Sequence, residues 1–163
     1  MNPELARFIE YLPPHATILD LGAGNGETAA ELTLQGYTVI ALDNNTQALV
    51  TLSQLPSIHV LKATLPNIPL AKQVDAVWCT NTLPWLTEAD QIKTIGTASA
   101  LLKPNGIIYC STRSPDPRWK TSMLTPIQPE KIRHAFQEAG LTIVKEYPDS
   151  HDPKWYHWFA RKR

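Results

Sequence analysis

Apolar segments of strand length alternate with helix-like segments along almost the whole chain, and this alternation is the strongest constraint on the fold. The strand-like segments are 17–21, 37–42, 57–61, 74–80, 106–111, 141–147 and 155–161. The helix-like segments are 3–12, 27–35, 46–55, 88–102 and 129–139. Such alternation predicts an α/β fold with a doubly wound, mostly parallel sheet. The first five strand-like segments are mostly continuous apolar runs, as expected for parallel strands covered on both faces.

The last two strand-like segments break this alternation. Only residues 148–154 separate them, which is too few for a crossover helix, so we expect these two strands to pair antiparallel. The length of 163 residues fits one domain, and residues 1–163 are interpreted as a single unit. The long irregular segment 112–128 contains three prolines, and loops of this length are functional lids or mobile segments.

Charge and cysteine content exclude several classes of protein. Lys plus Arg and Asp plus Glu each number 15, so the chain lacks the basic excess of proteins that bind phosphate backbones. Cys79 and Cys110 lie in apolar runs as buried free thiols do, and no Cys or His pair has metal-ligand spacing. Neither a targeting leader nor an apolar run of about 20 residues is present. We therefore expect a cytoplasmic protein without metal, membrane or nucleic-acid partners.

A glycine-rich loop follows the first strand-like segment. In the run 18–26 (ILDLGAGNG), glycines at 22, 24 and 26 allow a tight turn and the close approach of a ligand. Asp43 comes 17 residues after Gly26, at the end of the second strand, where a carboxylate can accept hydrogen bonds from both hydroxyls of a ribose. A purely structural turn with a solvated Asp43 is the weaker interpretation, because Asp20 also precedes the loop. The sequence predicts a ligand that contains a nucleoside.

The charges near this loop favour a cationic nucleoside over a dinucleotide. A dinucleotide fingerprint has a glycine three positions after Gly24, where this chain has Glu27 at the start of a helix. Carboxylates at Asp20 and Glu27 would each repel a pyrophosphate by about 1 kcal/mol or more. The same carboxylates suit a ligand with an ammonium and a sulfonium group, of which S-adenosylmethionine is an example. A nicotinamide-dependent oxidoreductase is therefore disfavoured.

Four segments resemble the class I S-adenosylmethionine-dependent methyltransferases. The run 18–26 is similar to their glycine-rich motif, and Asp43 is similar to their ribose-binding acid, with Asn44 and Asn45 beside the adenine. The segment 74–86 (VDAVWCTNTLPWL) is similar to the fourth-strand motif beside the methyl donor. The segment 101–112 (LLKPNGIIYCST) resembles the turn into strand five, with Asn105 in place of a glycine. Small members of the tellurite-resistance and thiopurine-modifying type have a similar size and loop.

This resemblance implies a Rossmann-like seven-stranded sheet of order 3-2-1-4-5-7-6 with strand 7 antiparallel, in agreement with the short final connection. It also implies S-adenosylmethionine as the cofactor. The residues implied to bind it are Asp20, Gly22, Ala23, Gly24, Gly26, Asp43, Asn44, Thr64, Thr80 and Asn81. Thr64 stands where many relatives have an acid that contacts the adenine amino group, so its hydroxyl or a backbone group would make that contact.

The acceptor pocket is expected beyond the fourth strand, with a small molecule as the acceptor. Its candidate residues are Trp85, Arg113, Trp119 and His151. Arg113, with Arg118 and Lys120, favours an anionic acceptor. The sequence singles out no general base: His157 lies where acceptor contacts can occur, but a structural role is the favoured interpretation. Such a base is needed only if the acceptor must lose a proton.

Two features argue against a nucleic-acid substrate. Two residues separate Asn81 from Pro84, unlike the Asn-Pro-Pro-aromatic motif of amino-group methyltransferases. The final run 154–163 (KWYHWFARKR) could stack on bases, but an aromatic-rich last strand is more often packed in the core. The leading hypothesis is therefore methyl transfer to a small molecule, and the alternative is a non-catalytic regulatory module that binds S-adenosylmethionine.

Overall fold

The computed structural model describes residues 2–116 and 123–163, which form a seven-stranded sheet with α-helices on both faces. The strands are β1 (Thr17–Leu21), β2 (Thr38–Asp43), β3 (Ile58–Lys62), β4 (Val74–Cys79), β5 (Leu102–Arg113), β6 (Leu141–Pro148) and β7 (Trp155–Lys162). The helices are α1 (Pro3–Ile9), α2 (Glu27–Leu34), α3 (Thr46–Leu52), α4 (Glu88–Leu101) and α5 (Pro129–Glu138). A short 3₁₀ helix, Leu83–Trp85, follows β4.

The order of the strands is β3-β2-β1-β4-β5-β7-β6, which confirms the order implied by the family resemblance. The first five strands pair in parallel. β7 lies between β5 and β6 and is antiparallel to both, so the prediction from the short final connection is also confirmed. The carboxyl ends of β1, β2 and β4 therefore meet at one edge of the sheet, where ligands of such folds bind.

Two predicted helices are shorter in the structure. α1 ends at Ile9 and not at residue 12, and α3 ends at Leu52 and not at residue 55. In both cases the chain continues as a tighter turn, in which the backbone N–H groups of Leu12 and Leu55 donate to carbonyls three residues earlier. Such tightening satisfies carbonyls that a helix end leaves without partners.

β5 begins four residues before the predicted start at 106, immediately after α4. Its pairing with β4 shifts register between Val74 and Ala76, so the early part of β5 is irregular. Asn105 has a φ of 65°, a left-handed conformation that asparagine adopts more readily than most residues. Asparagine is therefore compatible with this turn, at the position where the family resemblance implies a glycine. At Gly106, by contrast, a Cβ would lie 2.9 Å from the Asp75 carbonyl oxygen.

Two apolar layers cover the sheet. One layer joins it to α1, α2 and α3 and includes Phe8, Leu32 and Trp78. The other joins it to α4 and α5 and includes Ile95 and Phe136. Ile18 of β1 and Ala76 and Trp78 of β4 face the first layer, because side chains alternate along a strand. This alternation decides which strand side chains can reach the same cavity.

The sequence predictions about the cysteines and the last strand are confirmed. Cys79 and Cys110 are buried free thiols that lie opposite each other on β4 and β5, and burial raises the pKa of both. Trp158 and Phe159 of β7 are fully buried, so these aromatic side chains of the final run belong to the core. Within the described ranges, no helix has the length and apolar character needed to cross a membrane. The cytoplasmic location stays a prediction.

Candidate functional site

The loop between β1 and α2 is fixed to the end of β2. The backbone N–H groups of Gly22 and Ala23 donate to the Leu42 carbonyl at 2.8 and 3.0 Å. Gly22, Gly24 and Gly26 have φ values of 74°, 53° and 82°, in the region that favours glycine. The loop therefore has the tight turn that the sequence predicts.

The three glycines serve different purposes. A Cβ on Gly22 would overlap the Thr82 side chain, and a Cβ on Gly26 would overlap the Leu52 side chain. At Gly24 a Cβ would meet no described atom within 4 Å. Packing alone thus accounts for glycine at 22 and 26, whereas the open space at Gly24 is available to a ligand.

Asp43 holds the loop and the tip of β2 together. Its Oδ2 accepts a hydrogen bond from the Gly24 N–H, and its Oδ1 accepts one from the Asn45 N–H, both at 2.8 Å. Asn45 in turn caps α3, because its side-chain oxygen accepts from the N–H groups of Gln47 and Ala48. Each carboxylate oxygen of Asp43 keeps a further lone pair for a ligand.

Beside this carboxylate lies a cavity of about 360 Å³, which we call the loop cavity. Seven of the residues predicted for the site line it: Gly22, Asp43, Asn44, Thr64, Thr80, Asn81 and Trp85. Sequence reasoning missed five further lining residues: Leu42, Ala63, Leu65, Thr82 and Leu86. Each of these five residues adjoins a predicted residue in the chain, so adjacency to the motifs was the available signal.

Asp20, the second-last residue of β1, does not line the loop cavity and is 3% exposed. Its Oδ2 has no hydrogen-bond partner among residues 2–116 and 123–163. Burial, and secondarily the negative charge of Asp43, raise the pKa of Asp20 to about 7. A buried polar atom without a partner costs free energy, so this carboxylate would gain from a nearby donor or cation.

A second cavity, of about 630 Å³, adjoins the first at the end of β4, and we call it the β7 cavity. Both cavities are lined by Thr80 and Asn81. The other lining residues are Asn2, Pro3, Glu4, Arg7, Tyr109, Asp149, Ser150, His151, Trp155 and His157. The predicted acceptor residue His151 is therefore in this cavity.

Two polar contacts in the β7 cavity form a chain that sequence reasoning missed. The Tyr109 hydroxyl lies 2.9 Å from Nδ1 of His157, and Nε2 of His157 lies 3.2 Å from Oδ2 of Asp149. These residues come from β5, β7 and the connection before β7, so only the pairing of the strands brings them together. No local sequence signal links them.

The predicted acceptor residue Arg113 contacts the β6–β7 connection and the start of β7. Arg113, at the end of β5, lies 3.8 Å from the Asp152 carboxylate and 5.8 Å from the Trp155 ring centre. It is absent from the described lining of both cavities. Trp119, together with Arg118 and Lys120, lies outside the described residues. Their role at an anionic acceptor stays a prediction.

A mixed sheet of this order, with a glycine loop and an acid at the tips of β1 and β2, defines the class of Rossmann-like nucleoside-binding domains. Comparison with known families is more specific. The family described as "Methyltransferase domain" matches residues 1–146, so the chain belongs to that family. The family resemblance drawn from the sequence motifs is thereby confirmed.

Individual proteins show a similar relationship. The ubiquinone biosynthesis O-methyltransferase of Rickettsia prowazekii is 33% identical over 100 residues, which are 58% of this chain and 39% of that protein. The chain thus spans about two fifths of the length of the curated relatives it matches. TehB from Haemophilus influenzae has a TM-score of 0.84 at 14% identity, over 100% of this chain and 63% of that one. The 1,6-didemethyltoxoflavin-N1-methyltransferase of Burkholderia thailandensis, solved with its substrate and S-adenosylhomocysteine, has a TM-score of 0.79 at 20% identity, over 99% and 77% of the chains.

The buried Asp20 leads to a prediction about stability. Its folded pKa of about 7 lies above the ordinary value of 3.8, so the folded protein keeps a proton that the unfolded chain releases. The free energy of unfolding should therefore fall by roughly 2–3 kcal/mol from pH 5 to pH 8 through this group alone. Urea unfolding of Asp20→Asn across this interval should lack that decrease. The exposed control Glu10→Gln should keep it, and equal pH slopes for the wild type and Asp20→Asn would contradict the assignment.

Proposed function

We propose that this chain transfers the methyl group of S-adenosylmethionine to a small-molecule acceptor. The observation that carries the proposal is the Asp43 carboxylate, held at the tip of β2 by two backbone N–H groups and lining the loop cavity. Membership of the methyltransferase domain family supports the same function. So does the likeness to the Burkholderia enzyme, which was solved with S-adenosylhomocysteine.

Three features of the loop and its cavity support S-adenosylmethionine as the ligand. The free lone pairs of Asp43 match the two hydroxyls of a ribose. The open space at Gly24 allows a ligand to approach the backbone. The Oδ2 of Asp20 has no partner among the described residues, and a bound ammonium or sulfonium group would favour the ionised form of this carboxyl, whose pKa is raised to about 7. A pyrophosphate would meet Asp20 and Glu27 unfavourably, and Glu27 is the first residue of α2.

S-adenosylmethionine supplies a methyl group on a sulfonium, which is displaced in line by a nucleophile. The chain's own residues bind and orient the two reactants. In our proposal Asp43 binds the ribose, while Asn44 and Thr64 lie on the adenine side of the loop cavity. Thr80 and Asn81 lie at the junction with the β7 cavity, where the acceptor binds. Correct placement of two reactants can supply about 7–11 kcal/mol of the rate enhancement.

Calorimetry and turnover test this function together. We expect S-adenosylmethionine and S-adenosylhomocysteine to bind to the protein and NAD not to bind, because of the carboxylates around the loop. Transfer of a labelled methyl group should then be measured against a panel of small phenols, carboxylic acids and amines. Binding without transfer would favour the regulatory alternative, and binding of NAD alone would overturn the proposal.

Replacing Asp43 should weaken the binding of the nucleoside. For Asp43→Ala we expect a loss of about 1.5–3 kcal/mol in the calorimetric binding of S-adenosylhomocysteine, as for a hydrogen bond to a charged group. Part of this loss could come from the loop, since Asp43 also binds Gly24 and Asn45. Titration with the 2′-deoxy analogue separates the two effects. Removing the hydroxyl should weaken binding to the wild type and not to Asp43→Ala, and equal losses in both proteins would rule out the ribose contact.

A side chain at Gly24 should block the ligand while the fold persists. We expect Gly24→Val to abolish binding of S-adenosylhomocysteine, because the branched side chain would occupy the open space beside the loop. Gly140→Val is the matched control: Gly140 also has a positive φ, of 73°, and open space at its Cβ, but it lies after α5. Both variants should lose stability through backbone strain. Retained binding by Gly24→Val would contradict the prediction, as would loss of binding by Gly140→Val.

A further inference from the structure

We propose that Tyr109, His157 and Asp149 form a proton relay that deprotonates the methyl acceptor, and that the acceptor therefore carries an ionisable O–H or N–H group. This inference rests on the proposed methyl transfer and adds to it the acceptor class and the base. The three side chains line the β7 cavity, which meets the loop cavity at Thr80 and Asn81.

Strand pairing fixes the first two members of the relay. In the antiparallel pair of β5 and β7, Tyr109 lies opposite Phe159, and His157 lies opposite Ser111. Tyr109 and His157 are thus diagonal neighbours on one face of the sheet, the arrangement in which long side chains make contact. The Tyr109 ring stacks on Trp78, with ring centres 4.2 Å apart, and is buried. These contacts leave the Tyr109 hydroxyl little freedom to move away from His157.

The hydrogen-bond partners determine the direction of the relay. Oδ1 of Asp149 accepts from the N–H groups of His151 and Asp152 at 2.7 and 3.0 Å, which leaves Oδ2 for His157. These backbone hydrogen bonds lower the pKa of Asp149, so the group is a carboxylate at neutral pH. A carboxylate beside Nε2 requires a proton on Nε2. Nδ1 of neutral His157 is then an acceptor for the Tyr109 hydroxyl.

Tyr109 can pass a proton on but cannot itself be the resting base. Burial raises the pKa of Tyr109 far above its ordinary value, so the side chain is a neutral phenol at physiological pH. To accept a proton from an acceptor, its oxygen must give up its own proton at the same time. The only basic atom within hydrogen-bond distance along the described chain of contacts is Nδ1 of His157.

The groups around His157 support a charged imidazolium after the transfer. Asp149 contacts Nε2 from the β6–β7 connection, and the Tyr147 ring of β6 lies 5.2 Å from the imidazole. On α1, Glu4 and Arg7 also line the cavity and form an ion pair at 2.8 Å, and both bind the Tyr147 hydroxyl. Because Arg7 is paired with Glu4, the unshared charge nearest the imidazole is the Asp149 carboxylate.

The proposed step is balanced in atoms and charge. The bond between the acceptor atom and the methyl carbon forms as the sulfur–methyl bond breaks, and the sulfur keeps that electron pair. The acceptor proton passes to the Tyr109 oxygen while the Tyr109 proton passes to Nδ1 of His157. The resulting imidazolium is stabilised by Asp149, which contacts Nε2. After the product leaves, Nδ1 returns its proton to the Tyr109 oxygen as the Tyr109 hydroxyl releases its own to water in the β7 cavity, which restores the Nε2–H form of His157.

The tautomer of His157 tests the relay without a known acceptor. In histidine labelled with ¹⁵N and with S-adenosylhomocysteine bound, we expect the neutral ring to carry its proton on Nε2. Asp149→Asn keeps the shape of the side chain and an oxygen that can accept from the N–H groups of residues 151 and 152. Its amide NH₂ would then lie beside Nε2 of His157 and donate to it, so we expect the imidazole to change to the Nδ1–H form. The spectrum of His134→Gln, which alters an exposed histidine of α5, should show the same His157 signals as the wild type. A wild-type ring protonated on Nδ1 would overturn the relay.

Turnover provides the second readout. With phenols and amines from the panel as acceptors, we expect His157→Gln and Tyr109→Phe to lower kcat by roughly 10²–10⁴-fold, the usual contribution of a general base. Binding of S-adenosylhomocysteine, measured by calorimetry, should be unchanged in both variants. Normal kcat in His157→Gln would overturn the relay while leaving the proposed methyl transfer intact. Failure of the wild type to bind S-adenosylhomocysteine would instead refute the proposed function itself.

Discussion

The two hydrogen bonds that the Asp43 carboxylate accepts from backbone N–H groups hold the loop cavity in shape. One bond fixes Gly24 in the β1–α2 loop, and the other fixes Asn45 at the start of α3. Neither loop has regular structure of its own at this point, so their relative position depends on a side chain at the tip of β2. A carboxylate suits this task because it accepts several hydrogen bonds and keeps lone pairs for a ligand.

This arrangement makes the ionised form of Asp20 energetically unfavourable. A second carboxylate, fully buried one strand away, is destabilised both by loss of water and by the charge of Asp43. A cationic ligand would offset both effects, whereas a sheet evolved only for stability would place an apolar residue there. In our proposal, the unfavourable position of Asp20 is offset by the interaction of its carboxylate with the cationic ligand.

The sequence predicted most of the fold and about half of the site's chemistry, for identifiable physical reasons. Apolar periodicity and helix-ending signals located each strand and α-helix in the described part of the chain, because these signals are local. The loop cavity was also predictable, since Gly22, Asp43 and Thr80 lie at strand ends that a parallel sheet brings to one edge. Tyr109, by contrast, resembles any buried aromatic residue in a strand, and its partner His157 lies 48 positions away. Such a pair is defined only by the register between two strands.

The antiparallel direction of β7 places the β7 cavity beside the loop cavity. In a parallel sheet the beginning of a strand lies at the edge opposite the ligand. Because β7 runs antiparallel to β5, its first residues lie beside the end of β5, with Arg113 opposite Trp155 and Ser111 opposite His157. The connection from β6, which carries Asp149, is brought to the same edge. The beginning of the last strand therefore places polar side chains at the same edge of the sheet as the glycine loop that follows the first strand, and the proposed site draws on both.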